Sequence, residues 1–131
     1  MATVITHDKT FGNPTVDQNQ LIVDVFITLS GNYGTGASNG DILSFANTNF
    51  IQSRRVPIWV DIYEEPLAGN APSGYTFVWA VGTTQANGQL IVLQGGAAVS
   101  SPQAQYTQGS AYSGALTGAR LKARAVFALG N

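Results

Sequence analysis

Apolar and polar residues alternate along most of this chain with a period of two, the spacing that places successive side chains on opposite faces of a β-strand. In residues 21–30, Leu21, Val23, Val25, Ile27 and Leu29 take every second position, while Asp24, Thr28 and Ser30 share the other parity with Ile22 and Phe26. The pattern predicts a strand with one fully apolar face. It ends at Gly31, Gly34, Gly36 and Gly40, which permit tight turning. Residues 41–46 read as a short strand. Residues 57–63 predict another, with Ile58, Val60 and Ile62 on one face and Trp59, Asp61 and Tyr63 on the other, and Pro57 marks a sheet edge or a strand start. Tyr75, Phe77, Trp79 and Val81 alternate with Thr76, Val78 and Ala80, and a second run, residues 89–93, follows Asn87-Gly88. Asn-Gly is the preferred pair of a type I′ turn, so these two strands are expected to form a tight hairpin.

Residues 65–74 are a loop by composition, and residues 95–114, rich in Gly, Ala, Ser and Gln, read as a long loop with at most a brief strand. In residues 119–129, Arg120, Lys122 and Arg124 alternate with Leu121, Ala123, Ala125, Phe127 and Leu129. Ala, Leu, Arg and Lys also favour a helix, but the strict alternation between glycine-bounded ends favours a strand. Several short strands, glycine-rich turns and no amphipathic helix or internal repeat predict an all-β fold, a single-domain antiparallel β-sandwich or jelly-roll-like barrel. Residues 21–131 form that β domain. Residues 1–20 offer Val4, Ile5, Phe11 and Val16 without a clear strand period and are read as an extended N-terminal arm lying across a neighbour.

Composition sharpens this picture. A chain of 131 residues buries about two thirds of its unfolded surface, enough for one core. Charged residues are only 10% of it, against roughly 25% in a typical soluble protein. An uncharged, hydrogen-bonding surface suits a chain packed against other chains. The net charge of −1 includes no basic stripe, so nucleic acid is not an expected partner. The absence of cysteine removes disulfides, thiolate metal sites and a cysteine nucleophile. No 18-residue apolar run and no basic segment leading into an apolar one is present, so cytoplasmic synthesis without secretion or membrane insertion is expected.

Candidate chemistry is sparse. His7 is the only histidine and has no cysteine or second histidine with which to share a metal or complete a triad. Asp61, Glu64 and Glu65 are the only acidic cluster, and their adjacency at a strand end does not supply the separation across a cleft that paired glycosidase acids need. The glycines of 31–40 lie between strands, outside the strand-to-helix setting of a phosphate loop. Trp59, Tyr63, Tyr75, Phe77 and Trp79 would stack on sugars if exposed, but alternating strand positions assign them to the core. Arg120, Lys122 and Arg124 form a basic row that either meets acids on a neighbouring subunit or stays solvated. No catalytic, metal or cofactor residue is assigned, and the chain is not expected to be an enzyme.

Residues 27–36 (Ile-Thr-Leu-Ser-Gly-Asn-Tyr-Gly-Thr-Gly) with Gly40-Asp41, then Pro57-Ile58-Trp59-Val60-Asp61-Ile62, Gly74-Tyr75-Thr76-Phe77, Gly82-Thr83-Thr84 and Asn87-Gly88-Gln89-Leu90, resemble the small head decoration, or cement, proteins of tailed bacteriophages. The resemblance spans residues 21–129, and it is weakest over 95–114. It implies a non-catalytic, homo-oligomeric subunit, a trimer by preference, made in the bacterial host cytoplasm and seated on the virion capsid surface. Its partners would be the major capsid protein and its own copies. The interface residues expected on this reading are Val4, Ile5, Phe11, Val16, Arg54, Arg55, Arg120, Lys122 and Arg124. The rival from another class is a carbohydrate-binding or host-adhesion module of a phage tail or fibre.

Overall fold

A computed structural model describes residues 3–7, 15–17, 19–34, 40–46, 51, 53–66, 68–69, 72–95 and 102–128. The strands are β1 (Thr3–His7), β2 (Thr15–Asp17), β3 (Gln20–Leu29), β4 (Asp41–Ile42), β5 (Trp59–Glu64), β6 (Thr76–Ala80), β7 (Gln89–Gln94), β8 (Ala104–Gln105) and β9 (Leu121–Ala128), with one helical turn, α1 (Gly114–Thr117), before β9. They form an all-β sandwich of two antiparallel sheets. The five-stranded sheet runs β1-β3-β9-β5, with β2 also paired to β3, and the four-stranded sheet runs β4-β7-β6, with β8 also paired to β7. Each sheet is built on one long strand whose outer edge is shared by two short ones: β1 lies opposite residues 25–29 of β3 and β2 opposite residues 20–22. In the same way β4 and β8 lie at the two ends of β7. β5 of the first sheet runs beside β6 of the second.

The period-two readings of β3 and β9 hold. Leu21, Val23, Val25, Ile27 and Leu29 are buried, as are Leu121, Ala123, Ala125 and Phe127, and the antiparallel register from Gln20↔Ala128 to Ile27↔Leu121 sets these two apolar rows side by side. Against them the second sheet presents Phe77, Leu90 and Val92, and the chain after β4 adds Leu43 and Phe45. Phe45 meets Phe127 edge to face, with centroids 5.6 Å apart, a geometry aromatic pairs prefer. The segment 41–46 keeps strand pairing only at Asp41 and Ile42; Leu43 and Phe45 still bury, because their N–H groups find the carbonyls of Gly88 and Gln85 at 2.8 and 3.1 Å. The described part of 95–114 holds the brief strand β8, as the composition implied.

One reading is corrected. The β6–β7 hairpin forms, closed by the pair Ala80↔Gln89, but Asn87-Gly88 is not its tight turn: eight residues, 81–88, join the strands, and Gly88 is not among the residues with positive φ. Asn87 instead braces a wide loop, accepting from the Thr84 N–H at 2.8 Å and donating to Thr83 Oγ1 at 2.8 Å. Glycine is needed at 88 for a different reason, since a Cβ there would lie 2.6 Å from Trp79 Nε1. Of residues 1–20, the described Thr3–His7 and Thr15–Asp17 are the strands β1 and β2, hydrogen-bonded to β3, and Asn19 has φ 64° just before Gln20. Asparagine tolerates this left-handed conformation, and the pairing covers an edge of β3 that would otherwise be open. Phe11 lies outside the described residues.

A tyrosine-rich polar cluster ties the loops to the sandwich. Asp41 is buried, and its carboxylate accepts from the Gly34 N–H at 2.7 Å and from the Tyr112 hydroxyl. The buried Tyr33 hydroxyl accepts from the Val92 N–H at 3.1 Å and from Gln105 Nε2 at 2.8 Å. Backbone bonds join Tyr33 to Ser110 and Gly109, and Tyr112 to Gly31, so the chain around 31–34 and around 109–112 folds as one unit. Burial, followed by the hydrogen bond to Asp41, pushes the Tyr112 hydroxyl well above its ordinary ionisation range. A group whose pKa is raised on folding contributes stability that is complete below its unfolded pKa and lost above it. Wild-type stability should therefore fall once pH exceeds about 10, where unfolded tyrosine ionises. Tyr112→Phe should cost about 1–3 kcal/mol at pH 7, because Asp41 loses a buried partner, and the gap between variant and wild type should narrow at pH 10.5. Urea unfolding midpoints at both pH values check this.

Candidate functional site

The outward faces of the sandwich are where contact with other molecules can occur, and the strand register specifies their content. Across β5, β9 and β3 the outward positions align in rows: Trp59, Val126 and Ile22; Asp61, Arg124 and Asp24; Tyr63, Lys122 and Phe26. Trp59 and Tyr63 are exposed, 48% and 42%, so two of the aromatics assigned to the core by alternation face solvent. The inward parity of β5 belongs to Ile62, which is buried, and Val60, half-buried, and strand geometry then turns 59, 61 and 63 outward. Phe77 is buried and Trp79 and Tyr75 pack partly buried against the core.

The basic row of β9 is paired within its own chain. Arg124 makes a bidentate pair with Asp24, Nε to Oδ1 at 2.8 Å and Nη2 to Oδ2 at 3.1 Å, and this carboxylate raises the guanidinium pKa. Lys122 is buried; its ammonium pairs with Glu65 and lies 5.5 Å from the Phe26 ring centre. Arg120 stacks its guanidinium over the same ring at 4.6 Å. Its Nε is 3.3 Å from Glu65 Oε1 but finds no hydrogen-bond geometry, so that contact is one of charge alone. Acids of their own chain, brought alongside by the β3 register and the turn after β5, thus lie against Arg120, Lys122 and Arg124. The acidic cluster is divided likewise. Glu65 serves the cations, Glu64 accepts from the Ser73 N–H at 2.8 Å and from its hydroxyl, and Asp61 is exposed. A pocket of about 440 Å³ between Glu64, Ser73, Gly118 and Arg120 is therefore lined by groups already committed. Among the described residues no three His, Cys, Asp or Glu side chains gather to hold a metal.

Arg54 and Arg55 differ. Both are exposed, and neither has an acid at ion-pair distance among the described residues. They edge an open groove of about 560 Å³ with Val56, Ile58, Thr83 and Thr84. Two buried polar residues that no sequence pattern marks, Ser53 and Gln85, fix the loop behind them. Ser53 Oγ donates to the Ala128 carbonyl at 3.0 Å and accepts from the Arg55 N–H at 3.2 Å, while Gln85 Nε2 donates to the Ser53 carbonyl at 2.6 Å. Of the other expected interface residues, Val4 and Ile5 lie in β1 and Val16 in β2, where it is 60% exposed. The outward face of the second sheet is free of charge among its described strands, with Ile42, Val78 and Thr76 exposed and Ile91, Leu93 and Gln89 half-buried.

Comparison of this chain with known protein families, with characterised proteins and with solved structures finds no match.

The Lys122–Glu65 pair generates a stability test. Glu65 is half-buried and faces two cations, so removing its charge loses attraction to both, whereas replacing buried Lys122 by an apolar side chain of similar length also removes the cost of burying its charge. Glu65→Gln should therefore destabilise more than Lys122→Met, by about 1–2 kcal/mol against under about 1 kcal/mol, measured by urea unfolding at neutral pH.

Proposed function

We propose that this chain is a structural, non-catalytic subunit of a phage virion, a decoration or cement protein that binds the outer surface of the head through its major capsid protein and stabilises the shell. The observation that carries the reading is the distribution of exposed apolar side chains. On a chain with few charges, Val16, Ile42, Ile58, Trp59, Tyr63, Val78 and Val81 stay exposed, spread over both outward faces and the loop after β6. Large exposed apolar surface flanked by uncharged polar residues is what a subunit buries on assembly. The resemblance of residues 27–36, 57–62 and 74–90 to phage decoration proteins supplies the identity of the assembly. A homo-oligomer, a trimer by the same resemblance, would use one of these faces for its own copies and leave the other for the shell, so that many modest contacts act together. Synthesis in the bacterial cytoplasm and residence on the capsid surface belong to this proposal.

Cosedimentation with capsids lacking the protein tests it: the expected result is saturable, stoichiometric binding that raises the temperature at which the particles release DNA. No binding to the shell would reject the decoration role.

One observation favours a second reading, a carbohydrate-binding or host-adhesion module. Trp59 and Tyr63 face outward on the same side of β5 with Asp61 between them and Arg124 beside it, an arrangement of ring faces and polar groups that can hold a sugar chain. On this reading Trp59→Ala abolishes saturable binding on a glycan array while leaving the unfolding midpoint within about 0.5 kcal/mol of wild type. Trp79 drops out as a platform residue because its indole packs against Gly88 and the core.

A further inference from the structure

We infer that the groove between residues 54–58 and 83–84 is a docking site for an acidic, partly apolar segment of a partner protein. Charge accounting is the first argument. Among the described lysines and arginines, Arg120 and Lys122 share Glu65 and Arg124 pairs with Asp24, whereas Arg54 and Arg55 have no described acid at ion-pair distance. In a protein so poor in charge, two adjacent exposed cations without a described acid beside them make a local positive patch. They attract a partner of opposite sign.

Presentation is the second argument. Exposed loops ordinarily leave their backbone groups to water, yet this one is fastened by two buried polar side chains. Ser53 ties it to the end of β9 through the Ala128 carbonyl, and Gln85 ties it to the 81–88 loop through the Ser53 carbonyl. Gln85 is held in turn, since its own carbonyl accepts from the Phe45 N–H. On the far side the Ile58 N–H donates to the Val126 carbonyl at 2.7 Å. The two arginines therefore project from a backbone whose ordering cost was met on folding, which is what preorganisation of a binding site means.

The chemistry of the groove selects the occupant. Ile58, 55% exposed, and half-buried Val56 give it an aliphatic wall, and Thr83 and Thr84 add methyl and hydroxyl groups. Among the described residues no aromatic ring lines it, so they supply no stacking surface of the kind single-stranded nucleic acid uses, and two cations make a short phosphate track. A bare anion is also a poor fit, because the Arg55 N–H already donates to Ser53 Oγ and offers no backbone nest. Carboxylates for the guanidiniums and aliphatic side chains for the wall, on one extended segment, match what is present. Arg54 and Arg55 are also interface residues of the decoration reading, but the groove is argued from its own charge and lining, so failed capsid binding would leave it intact.

The test is a titration of the whole isotope-labelled chain with a blocked octapeptide alternating glutamate and leucine, followed by NMR. Shifts should concentrate at the Ile58 methyls, the Thr83 and Thr84 amides and the arginine Nε–H groups. Binding should weaken at least tenfold in Arg54→Ala/Arg55→Ala, and the same peptide with lysine for glutamate should not bind. The spectrum of the double variant away from the groove shows whether it is folded. Absence of groove shifts, or unchanged affinity in the double variant, overturns the inference. An oligothymidine octanucleotide producing the same shifts at lower concentration also overturns it and assigns the groove to nucleic acid.

Discussion

The ladder between β3 and β9 is the constraint from which the rest of the molecule follows. It joins residues a hundred positions apart, and because side chains alternate across a strand, one register assigns two faces at once. Leu21, Val23, Val25 and Ile27 turn inward beside Leu121, Ala123, Ala125 and Phe127, and Asp24 necessarily comes out opposite Arg124. A slip by one residue would bury that ion pair and expose the apolar rows. β5 then reads its own faces from β9, which places Ile62 inside and Trp59 and Tyr63 outside.

The same register explains why so basic a strand contributes so little to the outer charge of the protein. Arg120, Lys122 and Arg124 look like a free row in the sequence, but folding brings Glu65 and Asp24 to them and lays Phe26 beneath two of them. Within the sandwich the acids are spent as anchors: Asp41 on the Gly34 N–H and the Tyr112 hydroxyl, Glu64 on Ser73. What faces outward is then largely apolar or neutral and polar; Asp61 and the Arg124–Asp24 pair lie on the β5–β9–β3 face, and Arg54 and Arg55 are the exposed cations with no described acid beside them.

Much of the fold is legible in the sequence because period two survives wherever one face meets the core. β3 and β9 are the clear cases, and the strand assignment of β9 prevailed over the helix propensity of Ala, Leu, Arg and Lys. β5 was legible as a strand but its aromatics were not, since both parities carry large apolar residues; Asp61, sharing a face with Trp59 and Tyr63, was the available signal for the outward side. Asn87-Gly88 misled because a side-chain brace and close packing on Trp79 need the same two residue types as a tight turn. Residues 1–20 hid their strands because β1 and β2 are too short to show a period. The groove was half legible. Arg54 and Arg55 stand out in the sequence, but their lack of partners depends on the register of distant strands, and Ser53 and Gln85 are thirty-two positions apart with no pattern linking them.

During synthesis the β3–β9 ladder has a cost in time. The short strands β1 and β2 can cover one edge of β3 as soon as it emerges, but the strand that covers the other edge is made about a hundred residues later, on the order of 5–20 s at ordinary elongation rates. Throughout that interval a ten-residue, Val- and Ile-rich strand offers an open edge and an apolar face to any neighbouring nascent chain. Polysome crowding is therefore the setting in which this protein is most exposed to mispairing, and a chain released before Leu121 carries that exposed edge with it.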